Sequence, residues 1–504
     1  MWRVKSLDAV LATAEKKTLR RSLGPVQLTM LGIGGVIGTG IFVLTAEAAQ
    51  KAGPGMMLSF IIAGAVSACA AFCYAELASM VPVSGSSYTY TYTVLGELMA
   101  WLVGWALVLE YAVAASAVSV GWSGYIVGLL AHLPTPITIP PELAGGPFQG
   151  GVINLLAVFI ALVITTLLVI GTRESANVNA VLVAIKLVAL AAFIWLALPV
   201  MQMTNFHPFA PLGTSGIISA AASIFFGYVG FDAVSTAAEE TRDPQRNLPI
   251  GLIASLSICT VIYLAVAAGA IGSYGAQPVF GAHGEILEPG SMALGKVCSA
   301  FVSEPLACSH EALAHVLRSI HHPLVGNLLG MAAGIALPTV ILMMIFGQTR
   351  IFFVMSRDGL LPEVLSRVHP KFRTPHVVTW ITGVAVAFGA AFLPVGQLAD
   401  FSNSGTLFGF GVVSLSVLVL RRTQPSRHRP FRAPLIWMFA PLAIIGCVTL
   451  FFFLPWQAKA LFPVWTAIGL VFYFAYGYRH SHVGRGLTEV PELDSDAPPG
   501  PIAG

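Results

Sequence analysis

Charge is what this sequence has least of: charged residues make up 10% of its 504 positions, where a soluble globular domain carries about 25%. With 56% hydrophobic residues and a mean hydropathy of +0.81, the chain reads as a polytopic membrane protein whose solvent is the lipid bilayer. The formal net charge is only +3 and the basic residues sit in short loops between apolar runs, so no nucleic-acid partner is expected. The first 25 residues lack the short apolar core and small-residue cleavage site of a signal peptide. They are expected to stay on the cytoplasmic side. No outer-side Asn-x-Ser/Thr acceptor occurs, which fits a bacterial source.

Catalytic patterns are missing as well. His310 and His315 flank Glu311 in HEALAH at a spacing of five, whereas a zinc-protease helix sets its histidines four apart on one face, so no metal site is expected. Gly32, Gly34 and Gly38 have three residues between the last pair where a dinucleotide fingerprint has two. The histidines fall almost entirely in loops, which disfavours a membrane-embedded enzyme. No charged ring or continuous polar pore marks a channel. Neither a catalytic residue nor a cofactor is expected.

Long hydrophobic runs are what the sequence does have. A hydrocarbon core about 30 Å thick needs roughly 20 apolar residues per helix. Such segments lie near 26–48, 57–78, 97–130, 151–170, 177–201, 215–239, 249–274, 323–355, 376–394, 398–420, 434–455 and 459–478, twelve in all. With the N-terminus inside, only Lys51, Lys296, Arg318 and Lys459 of the 26 basic residues fall on the outer side, and Lys186 falls on neither. Cytoplasmic loops carry the Lys/Arg excess, so both chain ends are expected to be cytoplasmic. The stretch 273–322 is the one long polar loop, with room for a short helix or two on the outer face. The Pro-, Gly- and acid-rich tail 485–504 is expected to be disordered.

Two of the apolar runs are interrupted. Five glycines break GIGGVIGTGIF at 32–42, and FFGYVGFDA at 225–233 repeats the pattern about two hundred residues later. A bilayer offers no water to unpaired backbone groups, so a spanning helix breaks only where those groups find another partner. Paired breaks in corresponding halves point to the binding site of a small-solute carrier.

These tracts, together with YAELASMVPVSGSSYTYTYTVLGELMAWLVGWALVLEY at 74–111, FFGYVGFDAVSTAAEETRDPQRNLP at 225–249 and RIFFVMSRDGLLPEVLSRVHPKFRTP at 350–375, resemble the amino acid-polyamine-organocation superfamily. More narrowly they are similar to its cationic amino acid transporter family in bacterial form. The resemblance implies an all-α polytopic membrane protein of twelve transmembrane helices with a 5+5 inverted-repeat (LeuT-like) fold. The first repeat would span 26–201, the second 215–420, and two extra helices 434–478. It also implies a proton-coupled amino acid symporter working by alternating access in the bacterial cytoplasmic membrane, or alternatively an amino acid exchanger. The implied partners are an amino acid and the lipid bilayer, with no accessory subunit specified.

By the same resemblance the amides around Ile37, Gly38, Thr39 and Gly40 would hold the substrate carboxylate at a half-helix N-terminus, where unpaired N–H groups and the helix dipole favour an anion. Carbonyls near Val36, Phe226 and Val229 would hold the ammonium, and the Phe226 ring would gate the site. The bland alternatives stay open: Gly34 and Gly38 fit a small-xxx-small packing spacing, and Phe226 fits ordinary core packing. Lys186 lies nine residues past Asn177, about 13 Å along a helix. An ammonium at that depth is a functional hypothesis by default: a proton-coupling group, a static substitute for a sodium ion, or a snorkelling side chain. Glu110, thirteen residues into the third segment, is either a second proton-coupling group or a structural carboxylate. Asp232 raises the same choice, while Glu76, Glu239 and Glu240 fall near cytoplasmic helix ends beside Arg242 and Arg246, where surface pairing is the default and an inner gate the alternative. Cys298 and Cys308 both fall on the outer side, where a disulfide either forms or does not; Cys69, Cys73, Cys259 and Cys447 read as packing residues. Only Glu110 and Asp232 offer deep carboxylates to a cationic side chain, so a small neutral substrate such as alanine is expected.

Overall fold

The computed structural model describes residues 4–5, 23–83, 86–171, 176–301, 303–372 and 374–486. The tail from residue 487 and most of the first 25 residues lie outside these. Among the described residues the chain is helical, with isolated bridges in place of any strand.

The first apolar run is three pieces: α1 (Pro25–Val36), a single turn Thr39–Phe42, and α2 (Leu44–Ala52). Pro25 starts α1 where its missing N–H costs nothing, and the Gln27 side chain accepts the Gly24 N–H at 3.1 Å. There follow α3 (Met56–Met80), a short α4 (Ser86–Val94), α5 (Glu97–Ala131), α6 (Leu155–Ile170) and α7 (Ala176–Ala197). The second interrupted run opens with α8 (Gly213–Ile224), tightens into a 3₁₀ turn at Phe225–Tyr228 and resumes as 3₁₀ helix over Asp232–Glu240. Next come α9 (Pro244–Tyr274), two short helices α10 (Met292–Cys298) and α11 (Ala312–Ser319) in the long loop that follows it, then α12 (Pro323–Arg357), α13 (His376–Phe392), α14 (Val395–Thr423), α15 (Ile436–Phe453) and α16 (Trp456–Phe472).

Among the described residues nine helical stretches are long and apolar enough to cross a membrane; α1, α6 and α13 are shorter apolar helices. The long α5 packs on α12 and α14, while α9 packs on α1 and α3, and α7 on α1 and α12. The two broken runs are therefore enclosed by helices on every side. Outside this core large apolar side chains face outward, Trp195 at 79% and Phe388 at 70% exposure. Such a surface is at home in lipid and not in water.

Candidate functional site

The two breaks lie directly against one another. At the first, Ile37 leaves the helix at ψ 94° and Gly38 sits at φ −146°, ψ −146° before the chain re-enters helix. The Ile37 N–H still reaches the Ile33 carbonyl at 2.8 Å, but the amides of Gly38, Thr39 and Gly40 have no hydrogen-bond acceptor among the described residues. They are the orphan donors of a half-helix start. At the second break Val229 is extended and Gly230 takes φ +110°, a conformation open to glycine at little cost.

Glycine is required where the backbones touch. A Cβ on Gly40 would run into the Gly227 backbone, and one on Gly35 would lie 3.0 Å from the Gly230 carbonyl oxygen. A Cβ on Gly38 would meet only Val340, at an ordinary 3.4 Å. Packing therefore accounts for Gly35, Gly40 and Gly230 and leaves Gly38, like Gly227, with only ordinary contacts around an added Cβ. Gly34 has one, since a Cβ there would strike Val183 of α7 at 2.9 Å.

One side chain joins the two breaks. The buried Tyr263 hydroxyl of α9 lies 2.8 Å from the Val36 carbonyl and 2.8 Å from the Gly227 carbonyl, so its single proton is shared between them. The Val36 carbonyl thus has a resident partner, as does that of Phe226, which accepts the Val229 N–H at 3.2 Å. Each keeps a second lone pair. The Phe226 ring is 6% exposed, and the Thr39 hydroxyl is buried with no partner among the described residues.

Lys186 is fully buried on α7 and donates to the Gly34 carbonyl of α1 at 3.0 Å. Glu110 and Asp232 form a second buried polar group. Each has one carboxyl oxygen without a hydrogen-bond partner among the described residues, and the two interact electrostatically. The Tyr111 hydroxyl donates to Asp232 at 3.2 Å, and the Ser235 hydroxyl donates to the Asp232 carbonyl at 2.6 Å.

Above and below the breaks, polar ties cross between helices. On one side Lys51 of α2 donates to Ser223 at 2.5 Å and to Asp400 of α14 at 3.3 Å, while Ser223 donates to Asp400 at 2.5 Å. On the other, Lys5 pairs with Asp358 at 2.7 Å, and the Tyr88 hydroxyl of α4 donates to the same carboxylate at 2.9 Å. Glu76 is not a surface partner of Arg242: it is 1% exposed and accepts from Arg421 at 2.9 and 2.5 Å and from the Ala433 N–H at 2.9 Å. Glu240 pairs with Arg350 at 3.3 Å. Both acids reach across the fold to another helix, which neighbours in sequence do not reveal. Cys298 and Cys308 are joined in a disulfide within the long loop between α9 and α12.

The family model described as amino acid permease matches residues 23–475, nearly the whole described chain. The chain belongs to the amino acid permease family. The permease is 43% identical over 490 residues to a branched-chain amino acid permease, BcaP, of Bacillus subtilis, covering 96% of this chain and 99% of that one. It is 40% identical, at the same coverage, to a methylthioribose transporter of the same organism. It is also 35% identical to the chloroplastic cationic amino acid transporter 9 of Arabidopsis thaliana, over 82% of this chain and 69% of the relative. The permease is a multi-pass membrane transport protein and not an enzyme.

The breaks and Lys186 were marked in the sequence by glycines and by a charge in an apolar run. Tyr263, Tyr111 and the Lys51–Ser223–Asp400 tie were not. Asp400 near the start of an apolar segment carried a usable signal, an acid that needs a partner. No spacing rule pairs a tyrosine with carbonyls 227 and 36 residues away.

Proposed function

We propose that the permease binds an amino acid between its two broken segments and moves it across a bacterial cytoplasmic membrane by proton-coupled symport. The observation that carries this reading is the set of unpaired amides at Gly38, Thr39 and Gly40, buried beside the second break. Three N–H groups at a half-helix start suit a carboxylate. Open lone pairs on the Val36 and Phe226 carbonyls, with the Val229 carbonyl, suit the ammonium, and the Phe226 ring covers the site. Twelve spans in two inverted repeats of five, plus two final helices, and both chain ends in the cytoplasm are part of this reading. The Lys51–Ser223–Asp400 and Lys5–Asp358 ties then serve as closures on opposite sides, broken in turn.

Lys186 supplies the coupling. A buried ammonium at this depth costs about 2.5–3.5 kcal/mol on insertion scales, and its bond to the Gly34 carbonyl offsets part of that while holding α1 to α7. Loss of the proton weakens the bond and frees α1 to move, and Glu110, buried beside Asp232, is a second group that accepts and returns protons in this reading. A neutral amino acid fits best, because the Bacillus relative is a branched-chain permease and, of the two deep carboxylates, Asp232 already accepts from Tyr111. The 40% match to a methylthioribose transporter supports a second reading, in which the ligand lacks both charged groups.

Thermal-shift screening of the purified permease separates these, because a ligand that binds only the folded state raises its melting temperature. Neutral aliphatic amino acids are expected to stabilise it, and their α-hydroxy or amide derivatives are not. Stabilisation by methylthioribose alone would replace the amino acid reading. Efflux that requires substrate on the opposite side would identify an exchanger.

A further inference from the structure

A groove of about 540 Å³ opens at the arginine-rich face, between the start of α9 and the loop joining α14 to α15. Its floor is apolar, made by Pro249, Ile250, Ile253, Ala254, Pro430 and Phe431. Its rim is charged. Arg246 lines it, exposed and with no ion pair or hydrogen bond from its side chain among the described residues, and the exposed Arg432 directly follows the lining Phe431 in the chain. Asp243 is the one acid in the lining and offsets Arg246, so the positive excess comes from the exposed Arg432 next to the lining Phe431.

The far wall is fixed in place. The Phe431 N–H donates to Ser79 at 3.3 Å and the Ala433 N–H to Glu76 at 2.9 Å, pinning the loop to the end of α3. The near wall continues as a stripe on α9: Ile250, Ala254, Ile258 and Val261 recur at helical spacing, with Ile250 at 40%, Ile258 at 40% and Val261 at 68% exposure. From the first to the last is about 16 Å at 1.5 Å per residue, close to the depth of one leaflet in a core about 30 Å thick. A cationic rim that runs into an apolar stripe of leaflet depth matches an amphiphile with an anionic head. The other side of α9 bears on α1, where a Cβ on Gly251 would come within 2.8 Å of Leu28. An occupant therefore braces the helix against which the first broken segment moves.

We propose that this groove binds one anionic glycerophospholipid, its phosphate at Arg246 and Arg432 and an acyl chain along Ile250, Ala254, Ile258 and Val261. Basic pockets at helix ends hold anionic head groups, each Lys or Arg strengthening binding about fivefold. The test is native mass spectrometry of the full-length permease titrated with phosphatidylglycerol or phosphatidylcholine of the same chain length. One phosphatidylglycerol is expected to be retained in preference to phosphatidylcholine. The double variant Arg246→Gln/Arg432→Gln should lose that preference, with affinity lowered roughly 25-fold. Ala254→Trp, which fills the groove, should lower retention of both lipids. Should the double variant not yield monodisperse protein, Arg246→Gln alone carries the test through a loss of about fivefold. Equal retention of the two lipids by the unmodified protein would overturn the proposal, as would unchanged retention in the arginine variants. Displacement of the lipid by inorganic phosphate at millimolar concentration would also overturn it, by marking a free-anion site.

Discussion

At the scale of single residues the glycines of the first break do two different jobs, and substitution separates them. Gly40→Ala places a methyl against the Gly227 backbone, which cannot give way as a flexible side chain would. The expected result is a loss of stability of about 1–3 kcal/mol, the ordinary cost of overpacking, read as a lower melting temperature. Gly38→Ala has ordinary space toward Val340 and a negative φ, so it should fold normally while the added methyl crowds the amides proposed to hold the substrate. Binding affinity measured on folded, monodisperse protein should fall at unchanged melting temperature. Equal loss of stability in both variants would mean that Gly38 too is a packing residue. Tyr263→Phe probes the link between the breaks: it strips a shared donor from two buried carbonyls. A cost of about 1–3 kcal/mol is expected in thermal unfolding, with weaker substrate binding because the crossing loosens.

At the scale of elements the apolar segments were legible because a bilayer demands length and hydropathy, which composition reports directly. The described helices follow them to within a few residues for most runs. What the sequence did not declare was helix type: the second half of the 215–239 run is 3₁₀ over Asp232–Glu240, stabilised by side-chain contacts such as Ser235 to Asp232 that periodicity does not encode. The inner ends of α3 and α14 are joined by Glu76, buried between Arg421 and Arg429. Glu76→Gln leaves two buried guanidinium groups short of a counter-charge, and a destabilisation of about 3–5 kcal/mol is expected. In the long loop between α9 and α12, burial pushes the Glu311 carboxyl up to about 7 against the opposing pull of Arg318. In the unfolded chain this group titrates near the ordinary 4.5. Between those values the folded loop holds a proton that the unfolded one has released, so its contribution is complete below about 4.5 and is lost as pH rises to about 7. Relative to Glu311→Gln, the melting temperature of the unmodified protein should decline across that window. Parallel profiles would contradict the assignment.

At the scale of the whole molecule the breaks and the buried lysine were visible because each violates what a lipid-spanning helix tolerates: glycine clusters at mid-span and an ammonium at depth. The side chains that join them were not, because Tyr263, Tyr111 and Asp400 come from segments distant in the chain and meet only in the folded bundle. Lys186 ties α7 to the first broken segment through its bond to Gly34, and on the proposed mechanism that bond is where proton coupling would act. The most direct measurement is amino acid uptake by the permease reconstituted in sealed vesicles under an inward proton gradient, without sodium, beside the Lys186→Ala variant. Accumulation against the substrate gradient, collapsing with a protonophore and absent in folded Lys186→Ala, is the predicted result. A strict sodium requirement, or a Lys186→Ala protein that still concentrates its substrate when the pH gradient is applied, would contradict it.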